Sequence, residues 1–267
     1  MLEKFVRRHP LLLRWAYRAL RWLRPLREHP LAAVPAYFRL FLDWRRYLAA
    51  GGQAAMADFY PCLFDRVSST STDPHYFYQA AWAFREIMGQ APRQHVDIGS
   101  DVRFVGMLSQ AIPLTFVDIR PLLMELPGLE CRAGSVLSLP YPDGVVHSLS
   151  CLHVIEHIGL GRYGDPLDPQ GTAKACRELV RVLAPGGRLY LSAPVGRARV
   201  QFNGQRVQSV QEVLDSFPAV SLVEMAMVDP LGRFLPAVDP QRADMLACQQ
   251  GGLDFALGCF VFERREN

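Results

Sequence analysis

Lysine is nearly missing from this chain: only Lys4 and Lys174 occur among 267 residues, and arginine supplies the rest of the 29 basic side chains. So one-sided a usage is a habit of composition, and the arginine count alone argues for no nucleic-acid partner. No recognition-helix or zinc-finger pattern is present either, which argues against a DNA-binding role. The six cysteines, Cys62, Cys131, Cys151, Cys176, Cys248 and Cys259, form no C-x-x-C pair, and several sit inside apolar runs. They read as reduced, mostly buried thiols of a cytosolic protein. Long apolar runs are absent as well. Arg14, Arg18 and Arg21 interrupt the only early candidate, too soon for a signal-peptide centre or a membrane span.

Charge is present but lopsided. Residues 1–50 hold eleven Lys+Arg against Glu3, Glu28 and Asp43, a net +8; the total of +3 leaves −5 for the remainder. Leu12, Trp15, Ala16, Ala19, Leu20, Leu23 and Leu26 follow helical spacing, with Arg14, Arg18 and Arg21 on another face. A second helix is expected from Pro35, turning Val34, Phe38, Phe41, Leu42 and Leu48 inward and Arg39, Arg45 and Arg46 outward. Two uses fit such a pair: packing on the domain behind it, or peripheral contact with anionic lipid at the inner face of the membrane. Gly51-Gly52 and the Ser/Thr run at 68–72 look like connectors. The expected division is therefore a basic helical extension and linker at 1–72 and a domain at 73–267.

Beyond the boundary, helices and strands alternate. Residues 75–88 read as a helix, 94–100 as a strand and turn, 103–110 as a helix, and 114–119 and 130–134 as strands. A strand at 145–151, a helix at 172–183 and a strand at 188–194 follow, and 220–228 with 255–263 look like a final antiparallel pair. This order predicts an α/β fold with a mostly parallel sheet covered on both faces. Its ligand site is expected at the carboxyl ends of the central strands. Asp97-Ile98-Gly99-Ser100 closes the first strand, and Asp118 closes the second, 21 positions on. That spacing suits a carboxylate accepting hydrogen bonds from two ribose hydroxyls.

His153, Glu156 and His157 spell H-x-x-E-H, the order of an inverted zincin. Such a metal site needs all three on one helix, and here His153 falls at a strand end with Gly159 and Gly161 close behind, so no metal is expected. The surrounding stretch 139–157, together with "RELVRVLAPGGRLYLSAPVG" at 177–196, resembles class I S-adenosylmethionine-dependent methyltransferases. "YPCLFDR", "HYFYQAAWAFREI", "CLHVIEHIGLGRYGDPLDPQG" and "FNGQRV" look more closely like the bacterial domain-of-unknown-function 268 proteins, a methyltransferase-like family often associated with surface-polysaccharide biosynthesis.

The resemblance implies a Rossmann-like class I methyltransferase sheet with an antiparallel last strand and S-adenosylmethionine as cofactor. It puts Asp97, Gly99, Ser100, Asp118, Ser135 and Leu152 around that cofactor, and His157, then His153, as the base, with Glu156 orienting a histidine or touching the methionine amine. A plain structural role for Glu156 and His157, bracing the short helix, is the alternative. Arg162, Tyr163 and Asp165 on a glycine-rich loop, with Asn203 and Arg206 on the far rim, are candidates to hold a small-molecule or glycan substrate; ordinary turns are the alternative there. The chain departs from the family's D-x-G-x-G-x-G turn. Asp101 and Arg103 replace two glycines, and Val102 and Arg103 are expected to crowd it. A silent Rossmann-like module binding a nucleotide-sugar or partner, and a membrane-surface adaptor, are thus the competing functions.

Overall fold

The computed structural model describes residues 20–266. The chain divides into two compact units, Met1–Ser71 and Thr72–Asn267.

In the first unit, residues 20–28 form helix α1 and Pro30–Ala49 helix α2. Arg14, Arg18 and the apolar positions before Leu20 lie outside the described residues. Helix α2 starts at Pro30 rather than at Pro35, which stands inside it. Proline suits the first turn, where its missing N–H has no partner to lose. The expected inward face also differs. Ala33 and Ala36 are the buried residues, while Leu31, Val34, Phe38 and Leu42 are exposed. Packing inside this unit falls instead to aromatic rings: Trp22 stacks on Tyr37 at 5.4 Å and on Phe59 at 5.9 Å, and Phe41 meets Phe59 at 5.7 Å.

The second unit is built on an eight-stranded sheet of order β3-β2-β1-β4-β5-β10-β8-β9. Its parallel part comprises β1 (His95–Ile98), β2 (Leu114–Asp118), β3 (Leu129–Ala133), β4 (Val146–Leu152) and β5 (Leu183–Val195). Strand β10 (Ala256–Arg264) enters antiparallel between β5 and β8 (Val220–Val228), and β9 (Phe234–Leu235) closes the edge. This is the expected mostly parallel sheet with an antiparallel last strand. Two features differ from the sequence reading. Strand β5 begins before the Pro-Gly-Gly turn, which bulges between Leu183 and Arg188, each paired to β4. A hairpin of β6 (Arg199–Gln201) and β7 (Gln205–Val207) follows it.

Helices cover both faces because the central strands bury both of theirs. On β10, Phe260 and Phe262 enter one core, and Cys259 and Val261 the other, as a period of two requires. Helices α3 (Pro74–Gln90) and α4 (Val102–Leu108) pack Trp82, Ile87, Phe104 and Leu108 on the second face. Helices α5 (Gly171–Val182), α6 (Val210–Asp215) and α7 (Pro240–Ala247) cover the first, through Leu179, Val213 and Ala243 among others. Local signals start them: Asp73 caps α3 ahead of Pro74, Asp101 caps α4, and Ser209 with Glu212 forms a capping box on α6. Cys151, Cys176 and Cys259 are buried, but Cys62 and Cys248 are exposed, so the expectation of mostly buried thiols holds for half of the six.

Candidate active site

A cleft enclosing about 890 Å³, partly open to solvent, lies over the carboxyl ends of β1, β2 and β4. The strand order reverses between β1 and β4, which leaves a crevice between their following loops.

The floor is the turn after β1. Asp97 is fully buried; its carboxylate accepts hydrogen bonds from Ser100 N at 3.0 Å, Ser100 Oγ at 2.7 Å and Ser150 Oγ. Burial pushes this carboxyl up to about 6, against the pull of those donors. Beneath it, His95 bridges Ser148 Oγ at 2.7 Å and Ser150 Oγ at 2.8 Å, and burial holds it down to about 3. Asp97 therefore braces the turn from below and does not line the cleft. Gly99 does. It has φ +68°, and a Cβ there would stand 3.3 Å from Val154 and 3.6 Å from Asp118 Oδ2. The expected crowding does not arise: Asp101 caps α4 by accepting from Arg103 N, and Val102 and Arg103 are exposed on its first turn.

Asp118 stands at the end of β2 and lines the cleft, with Oδ1 accepting from Arg120 N at 2.6 Å. The Arg120 guanidinium is 3.8 Å from Asp118 and lies over the Tyr163 ring at 4.2 Å. Ser135, after β3, lines the wall with its Oγ accepting from Leu137 N, and Leu152 closes β4.

The segment after β4 is tightly turned. His153 has φ +58°, a left-handed conformation that costs a non-glycine residue roughly 1–3 kcal/mol. Residues Ile155–His157 form a single 3-10 turn, not an α-helix, so His153, Glu156 and His157 do not share a helical face. The His153 Nδ1–H donates to Glu156 Oε1 at 2.5 Å, and the ring stacks on Tyr76 at 5.3 Å. His153 Nε2 and Glu156 Oε2 are buried without a hydrogen-bond partner. His157 Nδ1 lies 2.7 Å from Gly204 O, so that nitrogen carries the ring proton. Arg162 Nη1, 3.3 Å from the same oxygen and 3.4 Å from the ring nitrogen, shares the acceptor. Burial holds His157 below its ordinary value, against the attraction of Glu156.

The glycine-rich loop at 159–171 folds back on itself. Asp165 accepts from Gly159 N at 2.6 Å and Tyr163 N at 3.3 Å, and a Cβ on Gly159 would meet Asp168 O at 2.0 Å. Tyr163 and Asp165 line the cleft. Arg162 is exposed beside it, stacked at 5.0 Å on Tyr163. Asn203 (φ +63°) turns the β6–β7 hairpin away from the lining. Arg206 reaches behind the loop, donating to Ile158 O, Thr172 Oγ1 and Asp168 O. Tyr76, Ile119 and Arg120 are among the lining residues that the sequence did not single out. Tyr76 was hidden in an ordinary helix start, and Ile119 and Arg120 directly follow Asp118. An apolar residue directly after a strand-end acid was the available signal.

Residues 145–213 match the family described as "Caenorhabditis protein of unknown function, DUF268". No curated protein matches the chain in sequence. Solved structures are similar in fold. N-methyltransferase NodS from Bradyrhizobium japonicum, in complex with S-adenosyl-l-homocysteine, is 17% identical with a TM-score of 0.52, over 77% of this chain and 92% of its own. The [4+2]-cyclase SpnF is 16% identical with a TM-score of 0.52, over 88% and 94%. A sarcosine dimethylglycine methyltransferase described as putative, from Galdieria sulphuraria, is 12% identical with a TM-score of 0.50, over 71% and 86%. The second unit thus has the Rossmann-like class I methyltransferase fold. One neighbour is named for a cyclisation, so the fold alone does not give the reaction.

Proposed function

We propose that this chain, a DUF268 match over residues 145–213 on a class I methyltransferase fold, is an S-adenosylmethionine-dependent methyltransferase acting on a hydroxylated small molecule, a saccharide or surface-polysaccharide precursor. The observation that carries the reading is the pairing of Gly99 and Asp118: a bare backbone at the first turn faces a strand-end carboxylate across the cleft. The residues present fit the cofactor. Asp118 would take the ribose hydroxyls, the apolar Ile119 and Leu137 beside it would flank the adenine, and Gly99 and Ser100 would admit the methionine portion. A bound sulfonium cofactor supplies an electrophilic methyl group. The protein's part is positioning, closure against water and removal of an acceptor proton. A polar, aromatic rim carrying Tyr163, Asp165 and Arg162 supports a hydroxylated acceptor, with Asn203 and Arg206 building the hairpin and loop behind it.

Titration calorimetry with S-adenosylmethionine and S-adenosylhomocysteine tests the reading. The native chain binds both, and Asp118→Ala loses about 2 kcal/mol, roughly 30-fold, for the charged hydrogen bonds removed. Absence of binding by the native chain leaves the silent-module alternative.

A second element of the proposal concerns residues 1–72 as a basic extension that docks on anionic membrane from the cytoplasmic side. Its support is the α2 stripe Leu31, Val34, Phe38 and Leu42, spaced on one helical face, exposed, and flanked by Arg39, Arg45 and Arg46. Among the described residues, no helix is long and apolar enough to cross a membrane. The full chain should sediment with phosphatidylserine vesicles and not with neutral ones; Val34→Asp with Phe38→Asp should abolish the difference, and equal sedimentation with both vesicles would remove the idea.

A further inference from the structure

The two histidines beside the cleft hold their ring protons in the same way and differ in what a positive charge would meet. Each Nδ1 donates to an oxygen, which leaves each Nε2 as a lone pair. Beside His157 the oxygen is the neutral carbonyl of Gly204, the Arg162 guanidinium stands 3.4 Å from the ring nitrogen, and the Glu156 carboxylate lies 3.8 Å from Nε2, against 2.5 Å from the His153 ring. A proton taken up there would face a fixed cation. Beside His153 the oxygen belongs to the Glu156 carboxylate, whose own surface is fully buried. A carboxylate in that position fixes the ring's tautomer and stabilises the imidazolium formed on proton uptake. The ring's other flank adds no competing charge, because the neighbouring His75, 6.0 Å away, is held down to about 4 by burial. His153 also carries the strained φ, and its Nε2 is buried at the cleft wall with nothing to bond.

We propose that His153 is the proton-accepting catalytic residue of the cleft, that Glu156 is its positioning residue, and that the acceptor is a protic nucleophile, a hydroxyl group. This rests on the methyltransferase reading. In the step, the acceptor O–H bond breaks, its proton passes to His153 Nε2, and the oxygen keeps the bonding pair with which it attacks the methyl carbon. The imidazolium then returns the proton to water. His157, the base the family resemblance implied first, instead ties the loop to the β6–β7 hairpin.

The test is nitrogen-15 NMR of the histidine rings in the full-length chain, with and without S-adenosylhomocysteine. In the native chain the neutral His153 ring carries its proton on Nδ1, and in Glu156→Gln it shifts toward the Nε2–H form while His157 does not change. Saturation with S-adenosylhomocysteine moves the His153 Nε2 resonance and leaves the buried His95 unmoved, a response that a purely structural pair would not give. An Nε2–H tautomer in the native chain, or a His153 resonance indifferent to the bound product, overturns the proposal. Should Glu156→Gln fail to fold, the native tautomer and its response to the product still decide. The outcomes are distinguishable: calorimetry without binding removes the cofactor reading and the proton-accepting role with it, whereas binding with the Nε2–H tautomer sinks the dyad alone.

Discussion

The carboxyl ends of β1 and β4 are neighbours in the sheet and both reverse the chain through a left-handed residue, but they do so with opposite chemistry. At β1 the residue is Gly99 at φ +68°, to which the conformation is cheap, and every side-chain polar atom of Asp97 and Ser100 beside it is hydrogen-bonded. At β4 it is His153 at φ +58°, which pays for the same turn with backbone strain, and two buried atoms beside it have no partner. The satisfied end offers a ligand its bare backbone, and the strained end, with unused polar atoms, is where a ligand's hydrogen-bonding groups are needed.

The largest break in this comparison is expected at Gly99. Gly99→Val forces a β-branched residue into the left-handed region and places its side chain between Val154 and Asp118. The expected cost is about 3 kcal/mol of stability, read by urea unfolding, with loss of S-adenosylmethionine binding. Unchanged stability and binding would deny the glycine its role.

The next effect is acid sensitivity. His75 and His95 are held down to about 4 and about 3 by burial, so the folded chain keeps them neutral while the unfolded chain protonates them near 6.5. Their contribution is full above pH 6.5 and is lost as pH falls. Asp97, raised to about 6, acts in the other direction: its buried charge costs stability above pH 6, and that cost is relieved as pH falls toward 4. Between pH 6 and 4 the unfolded chain therefore binds a net one proton more from these three groups, and stability declines by about 1.4 kcal/mol per pH unit. Asp97→Asn removes the opposing contribution and steepens the decline to about 2.7 kcal/mol per unit. An unaltered slope would show that Asp97 does not titrate in this window.

The smallest change is expected from His153→Asn. Asparagine tolerates φ > 0, so relief of strain offsets much of the donor lost to the buried Glu156 carboxylate, and stability falls by about 1 kcal/mol. A loss beyond about 2 kcal/mol would make His153 a packing residue.

Much of this was legible in the sequence. The apolar runs gave the parallel strands and their order of appearance, and the spacing from Asp97 to Asp118 brought two strand ends to one cleft. What the sequence hid was set by long-range contacts. Nothing local tells that Asp97 lies below the turn, because its partner Ser150 is 53 positions away. The exposed side of α2 was misjudged because Trp22 and Phe59 supply the packing that the aliphatic residues were expected to supply. The crowding forecast for Val102 and Arg103 failed because those residues had already entered the helix, where a side chain leaves the turn.

The Arg206 guanidinium fastens the carbonyls of Ile158, just before the glycine-rich loop, and Asp168, within it, while Gly204 on the same hairpin holds His157. Loop and hairpin are consequently expected to open together. Hydrogen exchange should report it: in Arg206→Met the amides of Gly159 and Asp168 lose protection together, while those of β4 and β5 keep theirs.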